Sequence, residues 1–171
     1  SINAKRTFED LFRLRFVPIV NENDSIATSE IKYGDNDRLA SRVAQISGAD
    51  CLILLSDVNG LYSKNPKLNK NVNLIKEIKN ISSDIEKIAT KSTGQYGTGG
   101  MKTKIDAAKI CQFSGCYMCI ANGLNLRPIK EIIKKNFCTW FLPKLSKLDA
   151  RKKWIISSIS PKGELVIDQG A

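Results

Sequence analysis

Histidine is absent from this chain of 171 residues. Without an imidazole, a Ser-His-Asp triad, a Cys-His pair and a His-ligated metal site are all excluded. Any chemistry must therefore depend on lysine, carboxylate, carboxamide or hydroxyl side chains, on backbone amides, or on a Mg²⁺ ion that arrives with a substrate.

The cysteines are few and odd in number, five in all. An odd count without a secretory signal argues against a disulfide framework. Cys116 and Cys119 form a C-x-x-C inside the apolar run "CYMCIA". If this run is a strand, a spacing of three points the two sulfurs to opposite faces of the sheet. We therefore expect core cysteines and no zinc site.

Long apolar runs and a nucleic-acid signature are lacking as well. No run is long enough to span a bilayer, and the opening "SINAKRTFED" does not read as a signal peptide. The net charge of +10 suits a polyanionic ligand, but the lysines are scattered and no arginines alternate with aromatics. We expect a cytoplasmic protein with a solvated basic surface and neither a membrane nor a nucleic-acid partner.

Apolar spacing predicts alternating helices and strands. The predicted helices cover residues 4–16, 36–47, 83–90, 101–114 and 126–135, and the predicted strands 17–20, 51–56, 73–78, 116–121 and 138–142. Asp35 is expected to cap the second helix, Gly48 to end it, and Ser83 or Asp84 to cap the third. The continuous run "CLILLS" predicts a strand buried on both faces. The alternation predicts an α/β fold, a three-layer αβα sandwich with a mostly parallel sheet, followed by a short β tail.

A glycine-rich stretch, "GQYGTGGMKTK", precedes the helix predicted at 101–114. It matches neither a P-loop nor a dinucleotide fingerprint, because Gly100 stands where a P-loop has lysine and Lys102 where the fingerprint has its last glycine. Glycines here would still let the backbone approach an anion, with the helix amides and Lys104 directed at it. The spacing leaves open an anion site or a flexible loop.

An acidic stretch, "VNENDSIATSEIKYGDND", follows the predicted strand 17–20. Capping accounts for Asp35 but not for Asp24, Asn36 or Asp37. These side chains suit a cationic group, either a substrate ammonium, a catalytic lysine or Mg²⁺. Together with Lys104 and a helix N-terminus, they are consistent with a phosphoryl-transfer site, which needs charge neutralisation and positioning rather than a histidine base.

Four segments, "FVPIVNENDSIATSEIKYGDND", "LLSDVNGLY", "GTGGMKTK" and "RKKWI…GELVIDQGA", together resemble the glutamate 5-kinases of the amino acid kinase superfamily. The resemblance implies transfer of the γ-phosphate of ATP, with Mg²⁺, to the side-chain carboxylate of L-glutamate, the first step of proline synthesis. It also suggests a homo-oligomer inhibited by proline. Acetylglutamate kinase, aspartokinase and uridylate kinase are rivals that match these segments less well.

The resemblance assigns site residues by motif position. Asp24 and Asn36 would contact glutamate, Asp37 would lie between catalytic lysines, and Lys104 would stabilise charge during transfer. Lys102 would contribute its backbone, with its side chain at the surface. The nucleotide-binding residues would be Ser56, Asp57, Thr98, Gly99, Gly100, Met101, Lys102, Thr103 and Lys104.

The sequence departs from the family pattern at both ends. The lysine-bearing first strand and Gly-Ser phosphate loop of the family have no counterpart, and residues 151–171 resemble the linker and start of a PUA domain. We therefore expect residues 1–150 to form part of an amino acid kinase domain, its nucleotide-binding half with part of the glutamate site, and to show little or no kinase activity alone. The alternatives are a non-catalytic remnant and one half of a split two-chain kinase whose missing N-terminal half is supplied in trans.

Overall fold

The computed structural model describes residues 2–21, 36–64, 69, 72–91, 100–135 and 137–150. Within them the elements follow in the order α1 (Ile2–Arg13), α2 (Asn36–Ser47), β1 (Cys51–Ser56), β2 (Glu77–Ile78), α3 (Ser83–Lys91), α4 (Met101–Ser114), β3 (Tyr117–Asn122), α5 (Pro128–Lys135) and β4 (Thr139–Phe141). None of the described helices is both long and apolar enough to cross a bilayer.

The four described strands form one sheet in the order β1-β3-β4-β2. β1 pairs with β3 in parallel and β2 with β4 in parallel, whereas β4 runs antiparallel to β3. The predicted α/β class with a mostly parallel sheet is thus confirmed. Ser56 pairs with Asn122, so β1 and β3 end at the same level.

The alternation of side chains along β3 builds two apolar layers, one on each face of the sheet. Met118 and Ile120 belong to a core cluster that includes residues of α2, α3 and α4. Cys119 and Ala121 belong to a second cluster, shared with Ile132 of α5. Helices therefore cover both faces, which confirms the predicted three-layer sandwich.

Four of the five cysteines are buried, as the sequence predicts. Cys116 lies in the first core cluster and Cys119 in the second, so the C-x-x-C sulfurs do face opposite sides of the sheet. Burial raises the pKa of the Cys119 thiol well above its usual value, which keeps this sulfur neutral and unreactive. The described residues contain no group of three potential metal ligands.

Several local predictions at the N-terminal side are corrected by the structure. α1 ends at Arg13 rather than Phe16, because Arg15 adopts a left-handed conformation with φ of 59°. Residues 17–20 form no strand. They find no ladder partner in the described part of the chain, Pro18 has no N–H to donate, and the Val17 and Ile19 side chains are exposed.

The strand and cap predictions need three further corrections. β1 is not buried on both faces: it is an edge strand of the described sheet, and Leu55 is 48% exposed. Only Glu77–Ile78 of the predicted strand 73–78 pairs in the sheet. The cap of α3 is Ser82, whose hydroxyl oxygen accepts a hydrogen bond from the Ile85 amide at 3.5 Å.

The predicted end of α2 is confirmed, whereas its predicted cap and the C-terminal tail lie outside the described residues. Gly48 ends α2 as predicted, with a positive φ of 69° and the Ala49 amide bonded back to the Ala44 carbonyl. The predicted cap Asp35 and the tail 151–171 lie outside the described residues, so the boundary after residue 150 stays a prediction.

Candidate functional site

The candidate site lies at the edge of the sheet where β1 and β3 end. α2 leads into β1 and α4 leads into β3, so each helix runs back along the sheet and begins near this edge. Ligands of open α/β sheets bind outside the carboxyl ends of the strands. The fold thus brings two helix N-termini and two strand ends together.

An ion pair joins the first turns of the two helices. The ammonium nitrogen of Lys104 lies 3.0 Å from Oδ2 of Asp37, and the two side chains are only 12% and 17% exposed. Reduced solvent access strengthens the attraction relative to a surface pair. In the sequence these two residues belong to segments far apart, and the structure brings them into direct contact.

Thr103 completes this arrangement. Its hydroxyl donates to the same Oδ2 of Asp37 at 2.7 Å and also lies 2.8 Å from the Gly100 carbonyl oxygen. Consecutive residues of α4 therefore both contact one carboxylate oxygen. This carboxylate lies in the first turn of α2 and beside the first turn of α4, where the partial positive charge of a helix N-terminus favours an anion.

The N-terminus of α4 has no side-chain cap among the described residues. Gly100 occupies the N-cap position in an extended conformation, and no hydrogen bond from a described side chain caps the helix. Lys102 is exposed, as predicted, whereas the Met101 side chain packs against the first core cluster. Met101 is therefore left with only its backbone for the predicted nucleotide contact.

The other predicted site residues are partly described. Ser56 donates a hydrogen bond to Asp57 Oδ1 at 3.1 Å, so the end of β1 presents a hydroxyl and a carboxylate side by side. Asn36 is exposed at the start of α2. Asp24, Thr98 and Gly99 lie outside the described residues.

A cavity of about 580 Å³ opens beside this edge, on the face covered by α5. Its lining combines carboxamides with apolar side chains: Asn59, Ala121, Asn122, Asn125, Pro128, Glu131, Ile132 and Phe137. None of these residues stood out as a site residue in the sequence. The rule that ligands bind beyond strand ends, applied to "CYMCIA", would have drawn attention to the two asparagines that follow it.

Residues 1–122 match the model of the "Amino acid kinase family". The chain belongs to the amino acid kinase family. The match covers more than half of the sequence and confirms the family predicted from its four motifs.

Curated relatives of this chain are named glutamate 5-kinases. The chain is 78% identical over 171 residues to the glutamate 5-kinase of Pelagibacter ubique (strain HTCC1062), covering 100% of this chain and 46% of that protein. It is 48% identical over 170 residues to the glutamate 5-kinase of Nitrobacter winogradskyi, covering 99% of this chain and 45% of that protein. The chain thus spans about half the length of the curated relatives it matches.

A solved structure supports the fold. The crystal structure of UMP kinase from Ureaplasma parvum superposes with a TM-score of 0.55 at 17% sequence identity, covering 81% of this chain and 52% of that chain. At this identity the likeness bears on the fold alone, and it agrees with the three-layer arrangement described above.

Proposed function

We propose that this chain provides the ATP-binding and catalytic-lysine portion of a glutamate 5-kinase, which transfers the γ-phosphoryl group of ATP to the side-chain carboxylate of L-glutamate. The observation that carries the proposal is the largely buried ion pair between Lys104 and Asp37. It lies at the N-terminus of α4, which no side chain of the described residues caps. The choice of glutamate rests on the relatives, which are glutamate 5-kinases.

The proposed reaction explains why a chain without histidine could serve as a kinase. The glutamate carboxylate is already ionised at neutral pH, since its pKa is about 4.3, so no general base is needed. Its oxygen attacks the γ-phosphorus, the bond from phosphorus to the bridging oxygen breaks, and ADP leaves with the electron pair. The protein must then position the reactants and neutralise phosphate charge.

Lys104 supplies that neutralisation in the proposal. Its ammonium group would contact oxygens of the transferring phosphoryl group as negative charge redistributes in the transition state. Asp37 keeps the ammonium at the start of α4 through Oδ2, while Oδ1 has no partner among the described residues. That second oxygen is available for another cation, in keeping with the predicted place of Asp37 between lysines.

The nucleotide would lie along the edge from β1 to α4. The amides at the start of α4 suit the phosphates, and the Ser56 hydroxyl with the Asp57 carboxylate suits polar groups of the nucleotide. Asp57 also offers the oxygen donor that Mg²⁺ prefers, and this ion binds proteins mainly through one or two carboxylates together with substrate phosphates. When bound, Mg²⁺ would neutralise part of the phosphate charge.

Glutamate would be bound by the predicted residues of the acidic stretch, with the Asp24 carboxylate pairing with the substrate ammonium and the Asn36 carboxamide bonding another polar group. We expect Asp24→Ala to raise the KM for glutamate by roughly a hundredfold, because a charge-assisted contact made throughout the reaction affects binding more than kcat. Steady-state kinetics with each substrate varied in turn measure this. A defect confined to the KM for ATP would show that the two sites are exchanged.

The function is tested in a chimera in which this chain replaces the matching segment of the Pelagibacter ubique glutamate 5-kinase. Glutamyl phosphate is trapped as its hydroxamate, with aspartate in place of glutamate as the substrate control. We expect activity within about tenfold of the parent enzyme, because the exchanged segments are 78% identical. Conservative core substitutions usually cost less than about 1.5 kcal/mol of stability each, so the chimera should stay folded. A folded chimera without activity would overturn the proposal.

Nucleotide binding is tested on the 171-residue chain itself. Mg-ATP at a hundred times its Kd is expected to add about 2.7 kcal/mol to the stability of the folded state. Lys104→Ala should show a smaller rise in Tm, whereas Lys87→Ala, which removes an exposed lysine of α3, should match the wild type. If Mg-ATP shifts none of the three proteins, this chain does not hold ATP.

A further inference from the structure

We propose that Thr103 is a positioning residue: its hydroxyl fixes the Asp37 carboxylate and thereby holds the Lys104 ammonium where phosphoryl transfer needs it. The inference rests on the proposed function of Lys104. It gives Thr103 a different role from the nucleotide contact that the family resemblance implies, because the side chain faces a carboxylate of its own chain.

Thr103 and Lys104 share one oxygen of the Asp37 carboxylate. Asp37 Oδ2 receives the Thr103 hydroxyl at 2.7 Å and the Lys104 ammonium at 3.0 Å. A carboxylate held at one oxygen by lysine alone can rotate about its last bond, and the long lysine side chain can follow it. A second donor from the adjacent residue removes that freedom, so the ammonium position becomes defined by the start of α4.

The hydroxyl proton of Thr103 has two acceptors within reach. Thr103 Oγ1 lies within hydrogen-bond distance of both Asp37 Oδ2 and the Gly100 carbonyl, but a hydroxyl donates only one bond. The carboxylate is the stronger acceptor because it is charged. The Gly100 carbonyl already accepts from the Thr103 amide at 3.1 Å, so it is not left without a donor.

The threonine side chain itself restricts the direction of the hydroxyl. Threonine is β-branched, and its χ1 angle is more restricted than that of serine. The hydroxyl is thereby aimed from the first turn of α4 toward α2. Valine has the same shape without the donor, and serine has the donor with more rotational freedom, so the two substitutions separate shape from hydrogen bonding.

The kinetic test uses the chimeric enzyme. We expect Thr103→Val to lower kcat roughly tenfold while the KM for ATP stays within about threefold, and Thr103→Ser to restore most of the loss. The control is Thr7→Val in α1, where the exposed hydroxyl donates to the Asn3 carbonyl and bonds to no other described residue, and it should leave kcat unchanged. A rise in the KM for ATP with kcat intact would instead assign Thr103 to the nucleotide and overturn the proposal.

A double-mutant cycle tests whether Thr103 acts through Asp37. In the Asp37→Asn background, Thr103→Val should lower kcat less than about twofold further, because coupled residues do not add. Full additivity of the two losses would mean that Thr103 works independently of Asp37, and the proposal would be abandoned.

A third readout needs no kinase activity, so it separates this inference from the proposed function. The rate at which acetic anhydride modifies Lys104 in the 171-residue chain is compared by mass spectrometry with that of its exposed neighbour Lys102. We expect Thr103→Val to raise the ratio about threefold or more, Thr103→Ser to leave it near the wild-type value, and Asp37→Asn to raise it most. An unchanged ratio in Thr103→Val would refute the positioning role even in an active enzyme. A raised ratio in a chimera without activity would uphold it while the proposed function fails.

Discussion

Replacing Lys104 with alanine in the chimeric enzyme is expected to lower kcat by roughly three orders of magnitude, with little change in the KM for glutamate. The ammonium group is held at the start of α4 by Asp37, and its proposed partner is charge that develops as the phosphoryl group moves. An interaction that strengthens only in the transition state affects kcat rather than substrate binding. Hydroxamate formation at saturating ATP and varied glutamate measures both constants.

The control for Lys104→Ala is Lys109→Ala on the same helix. Lys109 pairs with Glu86 and Asp106 at the surface, so its loss removes a positive charge from α4 with little effect on stability or rate. Lys104→Ala leaves the Asp37 carboxylate without its counter-charge and could therefore destabilise the fold. Urea unfolding of both variants measures this loss of stability separately from the loss of rate. If kcat survives in a stable Lys104→Ala variant, Lys104 has no place in the mechanism.

The helices that carry the site could be predicted from the sequence because their signals are local. The predicted ranges of α2 and α4 agree with the structure at both ends. α2 shows helical apolar spacing and ends at Gly48, and α4 begins after a glycine run and ends at Gly115 in the left-handed conformation. Such boundaries depend on residues a few positions apart.

The contacts that make these helices a site were less accessible to sequence reasoning. Asp37 and Lys104 are 67 positions apart. Their residue types suggested that both serve one phosphoryl-transfer site, but only the family resemblance implied that Asp37 lies between lysines. The bond from Thr103 to Asp37 had no sequence signal, since a threonine in a first helical turn is commonly read as a local cap or a phosphate ligand. The prediction that β1 is buried on both faces was wrong for a similar reason. The exposure of Leu55 depends on the place of β1 in the sheet order, which an apolar run does not specify.

Gly60→Ala is expected to destabilise the chain by about 3 kcal/mol, combining steric overlap with a disturbed buried hydrogen bond. Gly60 has φ of 152°. A Cβ added there would lie 2.9 Å from the Thr139 backbone nitrogen and would overlap the Thr139 hydroxyl. That hydroxyl accepts from the Leu61 amide at 2.8 Å and donates to the Ile75 carbonyl at 2.7 Å. The Thr139 side chain thus links the turn after β1 to the start of β4. The new methyl group would displace this side chain from its hydrogen-bond partners.

Gly48→Ala is the matched control, because Gly48 also has a positive φ but its added Cβ would meet nothing within 4 Å. It should cost only about 1 kcal/mol, the usual penalty for a left-handed alanine. Urea unfolding of the two variants gives the comparison, and equal losses would mean that the contact with Thr139 relaxes freely. Thr139→Ala provides the second check. Since it removes the hydroxyl that the new methyl group would strike, Gly60→Ala should cost about 1 kcal/mol less in that background than in the wild type. Strict additivity would place the origin of the loss in the backbone of Gly60 rather than in its packing against β4.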